Sequence, residues 1–140
     1  MKRRAFLLAL AFAPAAAADT PSFVVIIHPK NPYVALDRAF LTDVFLKKTT
    51  RWPNGDVVKP IDLAATSPVR ERFSSEVLKR SVAAVKSYWQ QIIFSGRDVP
   101  PPELSSEDDV VKYVLAHPTA IGYVGGATKL GDARPVTIKP

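Results

Sequence analysis

The stretch DLAATSPVRERF, residues 62–73, places a hydroxyl pair, a proline and an arginine where a helix should begin. A helix N-terminus offers free backbone amides and a positive dipole end, and a hydroxyl and a guanidinium beside it suit an oxyanion. Thr66, Ser67 and Arg70 are therefore candidate oxyanion ligands. In the alternative interpretation, Thr66 and Ser67 only cap the helix and Arg70 points to solvent. The local sequence by itself favours this alternative.

Few other side chains could do chemistry. The chain has no cysteine, which excludes a thiol nucleophile and zinc sites that need cysteine. His28 and His117 are each followed by proline and have no spaced partner for a metal site or a catalytic triad, so we expect ordinary surface or loop histidines. The sequence also has no Gly-x-Ser-x-Gly, phosphate-loop or dinucleotide motif. We therefore expect a protein without enzyme activity, cofactor or metal.

The first 18 residues are typical of an export signal. Three basic residues precede an apolar run over residues 5–13, and the small residues PAAAA follow. The run is shorter than the roughly 18 residues that cross a bilayer, so a retained anchor is the weaker alternative. We predict cleavage after Ala18, a periplasmic location and a single domain over residues 19–140.

The charge of the mature chain argues against a nucleic-acid partner. The chain has 19 Lys and Arg against 13 Asp and Glu, and three of the basic residues leave with the signal, so the mature net charge is +3. The remaining basic residues are scattered and lack the interleaved aromatic residues of a strand-binding groove.

The pattern of apolar residues predicts alternating strands and helices. The β-branched run SFVVIIHP predicts a strand over residues 22–28 that is buried on both faces. Loops are expected at residues 30–35 and, because of three prolines, at residues 95–106. Alternating elements in a chain of this length predict an α/β layered domain that contains parallel strands. Further strands are predicted at 56–63, 119–126 and 134–140, and helices at 38–46, 68–79, from 82 onward and 107–116.

Four residues are predicted to cap these helices: Asp37, Ser67, Ser81 and Ser106. In the helix that follows Ser81, the residues Val82, Val85, Trp89 and Ile92 repeat at steps of three and four. This stripe is typical of a helix face that packs on the core.

Three segments occur in the order AFLTDVFLKKTTRWPNGD, SPVRERF and PTAIGYV. Together they resemble the phosphate-type solute-binding proteins of bacterial ABC importers. In that family a helix ending in Phe-x-Gly-Lys precedes a tryptophan turn, a Ser-Gly-Thr-Arg segment opens a helix, and Gly-Ala-Ile-Gly-Tyr-Val follows. The resemblance covers residues 31–124. It implies one small lobe of the type 2 periplasmic-binding-protein fold, with a mixed or parallel sheet flanked by helices.

The chain also departs from this family pattern. Ser67 and Arg70 match the family's serine and arginine, but Pro68 replaces the glycine and Val69 the threonine, so an amide and a hydroxyl are lost. Lys47 replaces the glycine that ends the first helix, which predicts a different turn there. The glycine-rich N-terminal segment that presents amides to phosphate is missing as well, and residues 19–140 supply little more than one of the family's two lobes.

Two functions remain open. The first is an exported, non-enzymatic phosphate or oxyanion receptor that binds its ligand weakly through Thr66, Ser67 and Arg70. Its further partners would be a membrane component of an ABC transporter or a second protein chain. The alternative is an interaction module that descends from the same fold and has lost solute binding, and the losses at Pro68 and Val69 favour this alternative.

Overall fold

A computed structural model describes residues 22–140. The predicted signal peptide and its cleavage position after Ala18 lie outside the described residues. The described chain forms seven strands, four α-helices and one π-helical turn. The strands are β1 (Phe23–Ile27), β2 (Ala35–Asp37), β3 (Lys59–Pro60), β4 (Asp62–Leu63), β5 (Glu103–Leu104), β6 (Ala120–Gly125) and β7 (Arg134–Lys139), the helices are α1 (Arg38–Phe45), α2 (Pro68–Phe73), α3 (Val82–Phe94) and α4 (Glu107–Ala116), and the π-helical turn is Ser74–Leu78.

Five strands form a mixed sheet in the order β2-β7-β1-β6-β3. The central strand β1 pairs antiparallel with β6 and β7, and β2 and β3 join the two outer sides in parallel. Helix α4 packs on β6 and β1. The predicted α/β class with a mixed sheet and flanking helices is therefore confirmed.

The segment predicted as one strand over residues 56–63 is divided between two sheets. Pro60 pairs with Ile121 at the edge of the main sheet, and two residues later Asp62 pairs with Glu103 in a separate parallel pair, β4 with β5. The Ile61 amide still donates to Ile121, whereas the Asp62 amide donates to Pro102. Pro60 has no amide to donate, so it fits the edge position where the segment leaves the main sheet.

Two short strands lie where loops were predicted. Strand β2 begins inside the predicted loop at residues 30–35, and β5 lies inside the proline-rich loop at residues 95–106. Asp37 was predicted to cap α1, but its side chain makes no capping hydrogen bond. Because Asp37 pairs with Lys139 at the end of β2, its backbone belongs to the sheet edge.

The three serine caps are confirmed. The side chains of Ser67, Ser81 and Ser106 accept hydrogen bonds from the backbone amide of the third residue of α2, α3 and α4, respectively.

The predicted helix over residues 68–79 changes after Phe73 into the π-helical turn and ends at Lys79, whose φ is 55°. Lys47 also has a positive φ, 54°, which is the left-handed conformation that a glycine adopts easily, and the predicted difference from the family's turn stays a prediction.

The core continues from the sheet into the helix faces. Val85, Trp89 and Ile92 are buried as the stripe predicts, while Val82 is half-buried. At Gly122 a Cβ atom would lie 2.7 Å from side-chain atoms of both Ile61 and Val110. The missing side chain therefore lets α4 and the chain before β4 approach β6 closely. Within residues 22–140, none of the helices is long and apolar enough to cross a membrane.

Candidate functional site

Ser67 and Arg70 meet at the start of α2. Ser67 has extended backbone and its Oγ accepts a hydrogen bond of 3.3 Å from the Arg70 amide, while Pro68 occupies the first helical position. Proline fits there because the first amide of a helix has no partner within the helix. Thr66 precedes this cap and is exposed. Ser67 therefore acts as the N-cap, and the predicted trio surrounds one helix start.

The side chain of Arg70 is buried and turns back into the fold. Its guanidinium Nη1 donates to the carbonyl oxygen of Leu63 at 2.9 Å and to Oε1 of Glu103 at 2.7 Å. Its Nε lies 3.8 Å from Oδ1 of Asp62. This position differs from the alternative in which Arg70 points to solvent. Because β4 and β5 are paired, the two carboxylates and the carbonyl are all held next to α2.

Asp62 has a second partner in Tyr123 of β6. The Tyr123 hydroxyl donates to Asp62 Oδ1 at 2.6 Å and accepts from the Leu63 amide at 3.3 Å. Burial raises the pKa of Asp62 to about 6, although Arg70 and the Tyr123 hydroxyl both act to lower it. Burial and the charge of Asp62 raise the pKa of Tyr123. The phenol therefore stays neutral and can donate to the carboxylate.

The charges around the guanidinium do not cancel. Burial lowers the pKa of Arg70, but the charge of Asp62 and the hydrogen bond to Glu103 outweigh burial, so its pKa lies above the ordinary value. One permanent positive charge therefore faces two carboxylates. When both are ionised, the cluster carries one net negative charge, which is the opposite of what an oxyanion prefers.

The sequence pointed to Ser67 and Arg70 but missed Asp62, Glu103 and Tyr123. Asp62 lies within the stretch 62–73 but was interpreted only as a strand residue, and Tyr123 lies within the family-like segment PTAIGYV. Glu103 is 33 residues from Arg70 in sequence, inside a segment predicted to be a loop. No pattern in the neighbouring sequence could have connected Glu103 to Arg70, because their contact depends on the pairing of β4 with β5.

The two histidines have structural partners. His28 lies in the loop directly after β1, as one of the two predicted positions, but it is buried rather than at the surface, and its Nδ1 accepts a hydrogen bond from the Lys30 amide at 3.0 Å. His117 stacks on Tyr113, with ring centroids 4.1 Å apart. Among residues 22–140, His, Asp and Glu side chains form no group of three that could hold a metal ion.

An open surface cavity lies beside the candidate site. It has a volume of about 570 Å³ and is lined by Ala65, Glu71, Ser75, Lys79, Arg80 and the residues 81–83 at the start of α3. Ser67 and Arg70 are not among the described residues that line it. The cavity therefore borders the candidate site but does not give access to its guanidinium.

Comparison with known proteins gives similarity in structure only. No family model matches the sequence, and a search of curated proteins finds no match. Among solved structures, the chain is similar to an ABC-type phosphate transport receptor from Vibrio cholerae, with a TM-score of 0.64 and 15% identity over 83% of this chain and 45% of the receptor. It is also similar to a phosphate ABC transporter substrate-binding protein with bound phosphate from Clostridium perfringens (TM-score 0.64, 17% identity, 83% of this chain and 44% of that chain). A third is PstS from Borrelia burgdorferi (TM-score 0.65, 10% identity, 84% and 47%).

These matches include most of this chain but less than half of each receptor. At such low identities the similarity concerns the fold and not the ligand. The resemblance that the sequence motifs predicted is confirmed at this level: the chain has the fold found in part of the phosphate-type substrate-binding proteins of ABC transporters.

Proposed function

We propose that this protein is an exported, non-enzymatic interaction module with a phosphate-receptor fold that no longer captures solute by itself. The observation that carries the proposal is the environment of Arg70. Its guanidinium is buried against the Leu63 carbonyl, Glu103 and Asp62, so the motif's positive charge is already used within the fold.

The electrostatic cost of an additional anion supports this proposal. Two unit charges about 4 Å apart interact by about 4 kcal/mol at an effective dielectric constant of 20. An oxyanion at Arg70 would therefore be repelled by two carboxylates while it is attracted by one guanidinium. Pro68 also has no amide to donate, so the helix start offers less compensation than the glycine of the family pattern.

A second candidate is weak binding of phosphate or a similar oxyanion at Thr66, Ser67 and Arg70. One observation favours it: the structurally similar proteins are phosphate receptors, and one of them is described with bound phosphate. Ser67 could still offer its hydroxyl proton, because its Oγ is the acceptor in the cap. In this case the protein would work with a membrane component of an ABC transporter or with a second chain.

Thermal unfolding with added phosphate separates the two candidates. A ligand that binds the folded state stabilises it by RT ln(1 + [L]/Kd), about 2.7 kcal/mol at a hundredfold excess over Kd. For the proposed module we expect no rise in melting temperature with phosphate or sulfate beyond that seen with chloride at equal ionic strength. A phosphate-specific rise would support the second candidate and contradict the first.

A matched pair of variants locates any such response. Ser67→Ala removes the α2 cap, and Ser81→Ala removes the equivalent cap of α3. Each loss should cost about 0.5–2 kcal/mol. A phosphate response that disappears only in Ser67→Ala would place the oxyanion at α2. A response kept in both variants would contradict binding at this helix start.

The interaction role has its own test. We expect the tagged protein in a periplasmic extract to elute from a size-exclusion column earlier than the purified chain. The same elution volume in extract and buffer would contradict the presence of a stable partner. A partner could be a membrane component of an ABC transporter or a second protein chain, and mass spectrometry of the early fraction would distinguish these.

Export is part of the proposal and rests on the residues of the predicted signal. We expect protein recovered from the periplasm to begin at Asp19, because the apolar run is followed by small residues that end at Ala18. Mass spectrometry of the intact chain measures this directly. A periplasmic chain that still begins at Met1 would show that the signal is not cleaved.

A further inference from the structure

We propose that Glu103 is a built-in anion that occupies Arg70 and thereby keeps dissolved oxyanions from its guanidinium. The inference rests on the proposed loss of solute binding and gives it a cause in one side chain. It also makes a stronger claim: removal of Glu103 should restore oxyanion binding at Arg70.

The position of Glu103 supports this role. Its Oε1 lies 2.7 Å from Arg70 Nη1, and the side chain of Glu103 is 49% exposed while that of Arg70 is 7% exposed. The other acidic partner, Asp62, is 9% exposed, and Leu63 is buried. Of the three groups around the guanidinium, Glu103 is thus the one that a dissolved anion could replace without opening the core.

The carboxylate of Glu103 contacts Arg70 as a bound anion would. A carboxylate and a phosphate or sulfate oxygen accept charge-assisted hydrogen bonds from a guanidinium in the same way. Glu103 is held beside Arg70 by the pairing of β5 with β4. A group tethered so closely competes at an effective concentration of about millimolar or more, so a weak soluble oxyanion should not displace it.

The second carboxylate makes the restored site dependent on pH. The charged and titratable groups that face the guanidinium are Asp62 on β4, Glu103 on β5 and, through Asp62, Tyr123 on β6. Without Glu103, the pair of Arg70 and ionised Asp62 is neutral. Protonation of Asp62, whose pKa burial raises, leaves a net positive charge. The charge of Glu103 adds to this raised pKa in the wild type, so the pKa of Asp62 should be lower in the variant, and an oxyanion should bind more tightly on its acidic side.

The test compares Glu103→Ala with Glu76→Ala. Glu76 is also about half-exposed and is paired with an arginine, Arg72, so its removal changes the net charge equally without affecting Arg70. The probe is sodium sulfate, with sodium chloride at equal ionic strength as the control, and the readouts are melting temperature and the side-chain Nε–H signal of Arg70 in ¹⁵N NMR spectra. Glu103→Gln removes the charge but keeps a hydrogen-bond acceptor.

We expect Glu103→Ala to bind sulfate at least about tenfold more tightly than the wild type, with a shift of the Arg70 signal, and Glu103→Gln to show a smaller gain. Binding should be tighter at pH 5 than at pH 7.5. No gain in Glu103→Ala, or an equal gain in Glu76→Ala, would overturn the proposal. A wild type that already binds sulfate would contradict the loss of solute binding, whereas the role of Glu103 is judged only by the difference between the variant and the wild type.

Discussion

The hydroxyl of Tyr123 donates a hydrogen bond of 2.6 Å to Oδ1 of Asp62, and both side chains are buried. The Tyr123 ring also stacks on Phe73 of α2, with centroids 3.9 Å apart and planes 5° apart. One side chain of β6 therefore positions the carboxylate of β4 and packs against the helix that carries Arg70. The main sheet, the two-stranded sheet and α2 meet at this residue.

The raised pKa of Asp62 should make its contribution to stability decrease as the pH rises from about 4 to 6. Its pKa goes from 3.8 to about 6 in the folded protein, because burial disfavours the charged form. Between these values the folded state binds the proton and the unfolded state does not, so the contribution of Asp62 to stability is fully present below about pH 4 and is lost as the pH rises to about pH 6. The shift corresponds to about 3 kcal/mol.

Urea unfolding of wild type and Asp62→Asn across this range measures the effect. Asparagine keeps an acceptor for Tyr123 but cannot ionise, so the stability difference should move in favour of the variant as the pH rises. Parallel pH profiles would mean that Asp62 titrates normally in the folded protein.

Tyr123→Phe should destabilise the fold by about 1–3 kcal/mol, because both Asp62 and the Leu63 amide lose a buried partner. The Tyr123 hydroxyl lowers the pKa of Asp62, so its loss should also move the pH-dependent fall in stability to higher pH. Tyr88→Phe is a matched control, since its hydroxyl donates to a neutral carbonyl, that of Leu46. An unchanged pH profile in Tyr123→Phe would argue against the coupling to Asp62.

Gly122→Ala should cost about 1–3 kcal/mol through overpacking. The new methyl group would lie 2.7 Å from side chains on two elements, so α4 or the chain before β4 must move. Gly125→Ala on the same strand is the control, because its nearest neighbour is a flexible Glu107 carboxylate at 3.3 Å. Chemical denaturation measures both variants, and equal stability would show that α4 adapts at little cost.

The elements predicted correctly are those whose signals lie within their own residues. The apolar run of β1 and the serine caps of α3 and α4 need no distant partner to be recognised. Strands β2 and β5 are only three and two residues long, so they exist through pairing with β7 and β4. Tertiary pairing of that kind leaves almost no local pattern in the sequence.

The candidate site likewise has one part that the sequence predicted and one part that depends on the fold. The cap at Ser67 depends on residues three positions apart, and the sequence predicted it. The burial of Arg70 and its pairing with Glu103 depend on how β5 meets β4, across 33 residues of sequence. A motif can thus place an arginine at a helix start, but only the fold decides whether its charge faces a ligand or another side chain.

The last prediction compares two aromatic residues of α3. Trp89 is 5% exposed and belongs to the predicted core stripe, whereas Phe94 at the helix end is 97% exposed. Trp89→Ala should cost about 3–5 kcal/mol, as large-to-small changes in a core do, and Phe94→Ala less than about 0.5 kcal/mol. Both changes replace an aromatic residue of the same helix with alanine. The difference between their free-energy costs therefore reports the effect of burial rather than of helix propensity. A cost below about 1 kcal/mol for Trp89→Ala would mean that α3 packs on the core through a different face.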